Sequence, residues 1–155
     1  MMITPSRILG LAVALAVGFA AFSAQAEDAI GQVKTAKGDV KVLRHGATQS
    51  QALAVGDHVF QSDTISTAKG ASVGITFMDN SMISLGPGSQ LALDQFQFDT
   101  TTHAGVFNTS LTKGTLAVKS GQIVQQTPEA MHIKTPAALL GVRGTEFVVR
   151  ADENS

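Results

Sequence analysis

An arginine framed by glycines dominates the chemistry on offer. Gly141-Val142-Arg143-Gly144-Thr145-Glu146-Phe147 follows a lead-in of Thr135-Pro136-Ala137-Ala138. Glycine serves where the backbone needs positive φ or a close approach, so Arg143 is expected at a tight turn or bulge with its guanidinium aimed at a definite target. Two readings fit. In one, Arg143 grips a partner carboxylate or an anionic ligand, with the neighbouring backbone N–H groups assisting. In the other it locks the last turn by pairing with Glu146, or with Asp63 or Asp79 of a neighbouring strand. Gly141, Gly144, Thr145 and Glu146 belong to the same candidate site.

Other reactive residues do not form constellations. His45, His58, His103 and His132 lie far apart, without the H-x-H or H-x₃-H spacing that holds a metal, and the chain has no cysteine. Asp79-Asn80-Ser81 lacks the later ligands of a calcium loop and reads as a turn. Gly86-Pro87-Gly88-Ser89 is not a nucleophile elbow, and it lacks the third glycine of a dinucleotide site. No strand carries paired carboxylates for acid–base work. Asp94 and Asp99 flank the Phe96/Phe98 run and are read as capping its ends. The expectation is a non-enzyme with no metal and no cofactor.

The elements that must position these residues are strands. Val73, Ile75 and Phe77 alternate with polar or small neighbours, as do Ile83 and Leu85, Leu91 and Leu93, Phe96 and Phe98, Leu116 and Val118, and Phe147 and Val149. Period-two alternation in short runs marks half-buried strands. Asp79-Asn80 predicts a hairpin turn, and Gly38-Asp39, Gly56-Asp57, Lys69-Gly70, Lys113-Gly114 and Ser120-Gly121 predict further breaks. The only helix-tolerant patch, 128–130, is too short to form one. Phe77, Phe96, Phe98, Phe107 and Phe147 are expected in the core. This pattern suits an all-β sandwich, barrel or roll. Because no strict repeat survives, an irregular solenoid and a roll of two facing sheets both stay open.

Composition narrows the function classes. Arg7, an apolar run over residues 8–22 and Ala24-Gln25-Ala26 have the layout of a signal peptide cleaved after Ala26. The run of 15 residues is short of the roughly 20 that cross a bilayer. Residues 1–26 are therefore read as a leader and 27–155 as one domain, soluble after cleavage. The formal net charge is −1 with both signs scattered, which argues against nucleic acid as a partner. Trp and Tyr, the residues favoured at interface hot spots and carbohydrate platforms, are absent.

The ordered motifs point to a family. They begin with Gly38-Asp39-Val40, Leu53-Ala54-Val55-Gly56-Asp57 and Asp63-Thr64-Ile65-Ser66-Thr67. Phe77-Met78-Asp79-Asn80-Ser81, Pro87-Gly88-Ser89-Gln90-Leu91 and Leu111-Thr112-Lys113-Gly114-Thr115-Leu116 follow, and the Gly141–Phe147 block ends the series. Over about residues 35–149 the chain resembles the FecR domain of bacterial envelope proteins. The resemblance implies an antiparallel β-roll or cut β-solenoid of two twisted facing sheets, on the periplasmic side of a Gram-negative envelope. In the FecR regulators this domain follows a cytoplasmic anti-sigma region and a membrane span, and serves an iron-uptake signalling relay. Here a leader stands in that place, so the relay role is set behind a stand-alone one. The function expected is a non-catalytic periplasmic or secreted binding and sensing module. Its partner would be an unknown envelope protein or glycan. The alternative is an envelope scaffold that self-associates through its edge strands.

Overall fold

The computed structural model describes residues 27–152; the leader read at 1–26 lies outside the described residues. The chain runs through β1 (Gly31–Lys37), β2 (Val40–Leu43), β3 (Gln51–Ala52), β4 (His58–Val59), β5 (Thr64–Thr67) and β6 (Ser72–Phe77). It continues through β7 (Met82–Leu85), β8 (Gln90–Phe98), β9 (Gly105–Lys119), helix α1 (Gln122–Gln126), β10 (Met131–Lys134), β11 (Leu139–Gly141) and β12 (Glu146–Ala151). Alternation does what the sequence pattern requires of it. In β6 Val73, Ile75 and Phe77 are buried, and in β7 Ile83 and Leu85 are buried. In β8 the buried set moves from Leu91 and Leu93 to Phe96, and a register shift between Leu93 and Gln95 absorbs the change of phase. The β6–β7 hairpin turns at Asp79-Asn80, with Asn80 at φ 65.

The architecture corrects the expected fold class. Among the described residues all twelve strands belong to one sheet in the order β3-β2-β5-β8-β9-β7-β6-β1-β4, with β10 and β12 also on β9, and β11 on β10. It is a single curled, mostly antiparallel sheet forming a half-barrel, not two facing sheets, a closed roll or a solenoid. The cause is β9. The Lys113-Gly114 pair, expected to break the chain, lies inside this 15-residue strand. The first half of β9 pairs with β8 and, in parallel, with β10; the second half pairs with β7 and β12. Because the strand itself never stops while its partners change, what would have been two sheets are two arms of one.

Gly114 makes that bend. Its φ is +96, and an added Cβ would sit 2.1 Å from Ser89 Oγ and 2.4 Å from Ser89 Cα. Both the dihedral and the space demand glycine. The buried Ser89 hydroxyl accepts from the Thr115 N–H at 3.0 Å and donates to the Gly86 carbonyl at 2.8 Å. Thr67 Oγ1 donates to the same carbonyl at 2.7 Å and accepts from the Ser89 N–H at 2.9 Å. The polar groups freed where the strand bends are thereby satisfied by side chains. The concave side holds the core. Phe107 of β9 meets Phe77 of β6 at 4.8 Å and Phe96 of β8 at 5.0 Å between ring centroids, joining the two arms.

Two buried carboxylates fix the corners. Asp63, 1% exposed, accepts from Arg44 Nη1 at 2.5 Å and from the Phe60 N–H at 2.8 Å. The Arg44 guanidinium also lies 5.0 Å above the Phe60 ring. Asp79 accepts from Ser81 Oγ at 2.6 Å and from the Ser81 N–H at 3.0 Å. Its main-chain carbonyl takes the Gln122 N–H at 2.8 Å, which starts α1. That one-turn helix, with Ile123 and Val124 buried, is set by this contact across the fold and not by any local periodicity.

Replacing Gly114 by Ala should lower the unfolding free energy by at least about 2 kcal/mol, from strained φ and overpacking together. Gly144→Ala, where an added Cβ meets nothing within 4 Å, should stay within about 0.5 kcal/mol of wild type. Urea unfolding of residues 27–155 distinguishes them, and equal effects would refute the role given to Gly114. Arg44→Ala strands a buried carboxylate and should cost about 3 kcal/mol. Lys41→Ala, which removes an exposed pair with Asp39 at 3.8 Å, should cost less than about 1 kcal/mol in the same assay.

Candidate functional site

The Gly141–Glu146 block joins the two arms at one end of the sheet. After β9 the chain passes through α1 and returns as β10, parallel to the first half of β9. A turn held by Thr135 (its Oγ1 accepts from the Ala138 N–H at 3.1 Å) reverses it into β11. Residues 142–145 then carry it across to β12, which pairs with the second half of β9. The crossing is pinned along its length. The Val142 N–H donates to the Met131 carbonyl at 3.0 Å, and the Val142 side chain is 4% exposed. The Ser120 N–H donates to the Thr145 carbonyl at 2.8 Å, and Ser120 Oγ donates to the Gly144 carbonyl at 2.5 Å.

The residues singled out by sequence converge here, with altered parts. Arg143 points outward and pairs with Glu129, in the loop after α1. Both side chains are about as exposed as each other, at 72% and 71%. Glu146 lies opposite Lys119 in the strand register, their charges 3.8 Å apart and also exposed. Asp63 and Asp79, considered as internal partners of Arg143, are engaged elsewhere, by Arg44 and by Ser81. Gly141 and Gly144 have neither positive φ nor any neighbour within 4 Å of an added Cβ. They do not form the tight turn that their spacing suggested. What fixes the block is Val142 and Ser120, which sequence reasoning passed over. The apolar residue between Gly141 and Arg143 was a usable signal for the first. Nothing local pointed to Ser120 or Glu129.

A surface cleft of about 330 Å³ runs beside the block, lined by Leu140, Arg143, Glu146, Phe147 and Val148 among others. Its surroundings are apolar and exposed: Val148 is 69% accessible, Leu139 67% and Leu140 37%. A pinned backbone, an outward cation and an apolar lining suit contact with a carboxylate-bearing surface. They supply no nucleophile or acid–base pair.

The remaining candidates stay apart. Among the described residues no group of three His, Cys, Asp or Glu is placed to hold a metal ion. His132 Nδ1 lies 3.3 Å from Asn108 Oδ1, on the β9–β10 ladder. Asp99 caps a turn after β8, where the backbone N–H of Thr102, then that of Thr101, holds its carboxyl below the usual carboxylate range. Asp94 sits at the irregularity inside β8, not at a strand end, and accepts from Ser110 Oγ at 2.5 Å. Among the described residues no helix is long and apolar enough to cross a membrane.

Comparison with known proteins gives one finding. The family described as FecR protein matches residues 63–155. No curated protein and no solved structure matches. The match opens at Asp63, immediately before β5, and takes in the rest of the sheet from there. Strands β1 to β4 precede it, yet they pair into the same sheet.

Because the Arg143–Glu129 pair is exposed, Arg143→Ala and Glu129→Ala should each change the unfolding free energy by less than about 1 kcal/mol. Val142→Ala should cost about 2 kcal/mol by emptying a buried site. Thermal or urea unfolding of the three variants checks this ordering. A larger loss for Arg143→Ala than for Val142→Ala would make the arginine the element that closes the fold.

Proposed function

We propose a function on one premise: this chain belongs to the FecR protein family. Domains of that family are non-catalytic and typically periplasmic. On this reading the chain is exported by the leader at residues 1–26 and works in the periplasm as a binding and sensing module of envelope signalling. The Arg143 crossing, residues 142–145, is its contact. The observation that carries the reading is the exposure of the Arg143–Glu129 pair on a backbone pinned by buried groups. An ion pair in water is worth at most about 1 kcal/mol, so exchanging Glu129 for a partner's carboxylate costs little. The new pair, shielded from water by Leu140 and Val148, would be the stronger one. Rigid presentation lowers the ordering cost of binding. The partner is an envelope protein, or a glycan bearing acidic groups.

The test is affinity capture from envelope extract on immobilised residues 27–155. Wild type should retain a discrete species, and Arg143→Ala should lose it while keeping its unfolding midpoint. Binding should also weaken as salt rises. Equal capture by both proteins would remove Arg143 from the contact.

A further inference from the structure

A half-barrel leaves edges that a closed barrel would not. The sheet's terminal strands differ sharply in length. β3 and β4 have 2 residues each and β11 has 3, whereas β12 has 6. Very short edge strands protect themselves from further pairing. β12 has no such protection: it pairs only with β9 among the described strands, and it contains no proline.

The backbone orientation of β12 follows from β9. The Thr115 carbonyl accepts from the Gly86 N–H at 3.0 Å, and the Thr115 N–H donates to Ser89 Oγ at 3.0 Å. Both groups therefore point away from β12. Thr115 stands opposite Arg150 in an unbroken antiparallel register. In such a pair, two residues that do not bond each other both turn their backbone groups outward. Arg150, and with it Val148 and Glu146, thus present N–H and C=O to the free edge. The same three residues carry the exposed side chains of the strand.

Their order is Glu146, Val148, Arg150: acidic, apolar, basic at alternate positions. That order is self-complementary under a two-fold axis through Val148. An antiparallel copy sets Val148 against Val148, Glu146 against Arg150, and Arg150 against Glu146, each pair at a hydrogen-bonding position. We infer that the occupant of the β12 edge is a second copy of this chain, paired antiparallel about Val148 so that two half-barrels share one continuous sheet. The charges select this occupant and register. A shift by two residues would leave a Val148 against a charged residue and break the ion pairs. Glu146 then lies between Lys119 of its own chain and Arg150 of the other copy. Val148, 69% exposed in the single chain, is covered. The interface is isologous, as two-fold dimers require; it uses neither Arg143 nor Glu129, and it covers the Val148 side of the cleft.

The test uses residues 27–155 and sedimentation equilibrium over a wide concentration range. Wild type should form a dimer that loosens with salt. Glu146→Lys makes both charged positions of the edge basic, and Arg150→Glu makes both acidic. Either change alone should weaken self-association at least about tenfold while leaving the circular dichroism unchanged. Mixing the two variants should restore a dimer, and so should the double exchange Glu146→Lys/Arg150→Glu. Register is read separately. The chain has no cysteine, so under mild oxidation Val148→Cys should cross-link with itself, because opposed hydrogen-bonded residues lie within disulfide reach. Val55→Cys, equally exposed but in a loop, should not. A wild type monomeric up to about 1 mM, a dimer indifferent to both charge reversals, or equal cross-linking at Val55 would each overturn the inference.

Discussion

Everything in this fold hangs on the meeting of Gly114 with Ser89. The bend in β9 brings the strand backbone so close to Ser89 that no side chain fits between them. The Ser89 hydroxyl then takes up the Thr115 N–H that the bend exposes. Without this contact a 15-residue strand would run straight, and its two halves could not serve two arms of a curled sheet. The Phe77–Phe96–Phe107 cluster needs that curl, because its rings come from β6, β8 and β9. So does the Val142 crossing, which spans from the β10–β11 side to β12. A local steric constraint thus fixes the long-range arrangement.

Strand content was legible in the sequence because burial of one face imposes a period of two, and the period survives in β6, β7, β8 and β12. The hairpin at Asp79-Asn80 was legible because Asn tolerates the left-handed backbone that it adopts. The sheet's unity was not. Lys113-Gly114 has the composition of a chain-reversing turn, and only the position of Ser89 decides that the glycine bends a strand and does not end it. Helix α1 escaped for a related reason. Five residues carry no measurable period, and the groups that start the helix come from Asp79, more than forty residues earlier. The Arg44–Asp63 pair was invisible because nothing in a sequence tells which of several arginines reaches a given buried carboxylate.

The two arginines show how burial decides role. Arg44 faces a carboxylate that is 1% exposed and lies over an aromatic ring. Removing it leaves a charge where water cannot reach. Arg143 faces a carboxylate as open to water as itself. The sequence drew attention to Arg143 because glycines frame it, but framing does not measure burial. Asp63, where the family match begins, belongs to the pair that holds structure; the block near the end of the match holds a pair that is open to water.

The 141–151 stretch therefore separates two tasks by direction. Val142, Val149 and Ala151 turn inward and are buried, and the backbone of residues 142–145 is held by Met131 and Ser120. Arg143, Glu146, Val148 and Arg150 turn outward and are exposed. Closure of the fold is carried by apolar contact and hydrogen bonds to the backbone, not by ion pairs. The charged residues are thus released from any structural duty. A segment that is rigid on one side and held on the other only by exposed ion pairs can change what it binds without changing how it folds. This property, rather than the arginine alone, is what both contacts proposed for this end of the half-barrel would use.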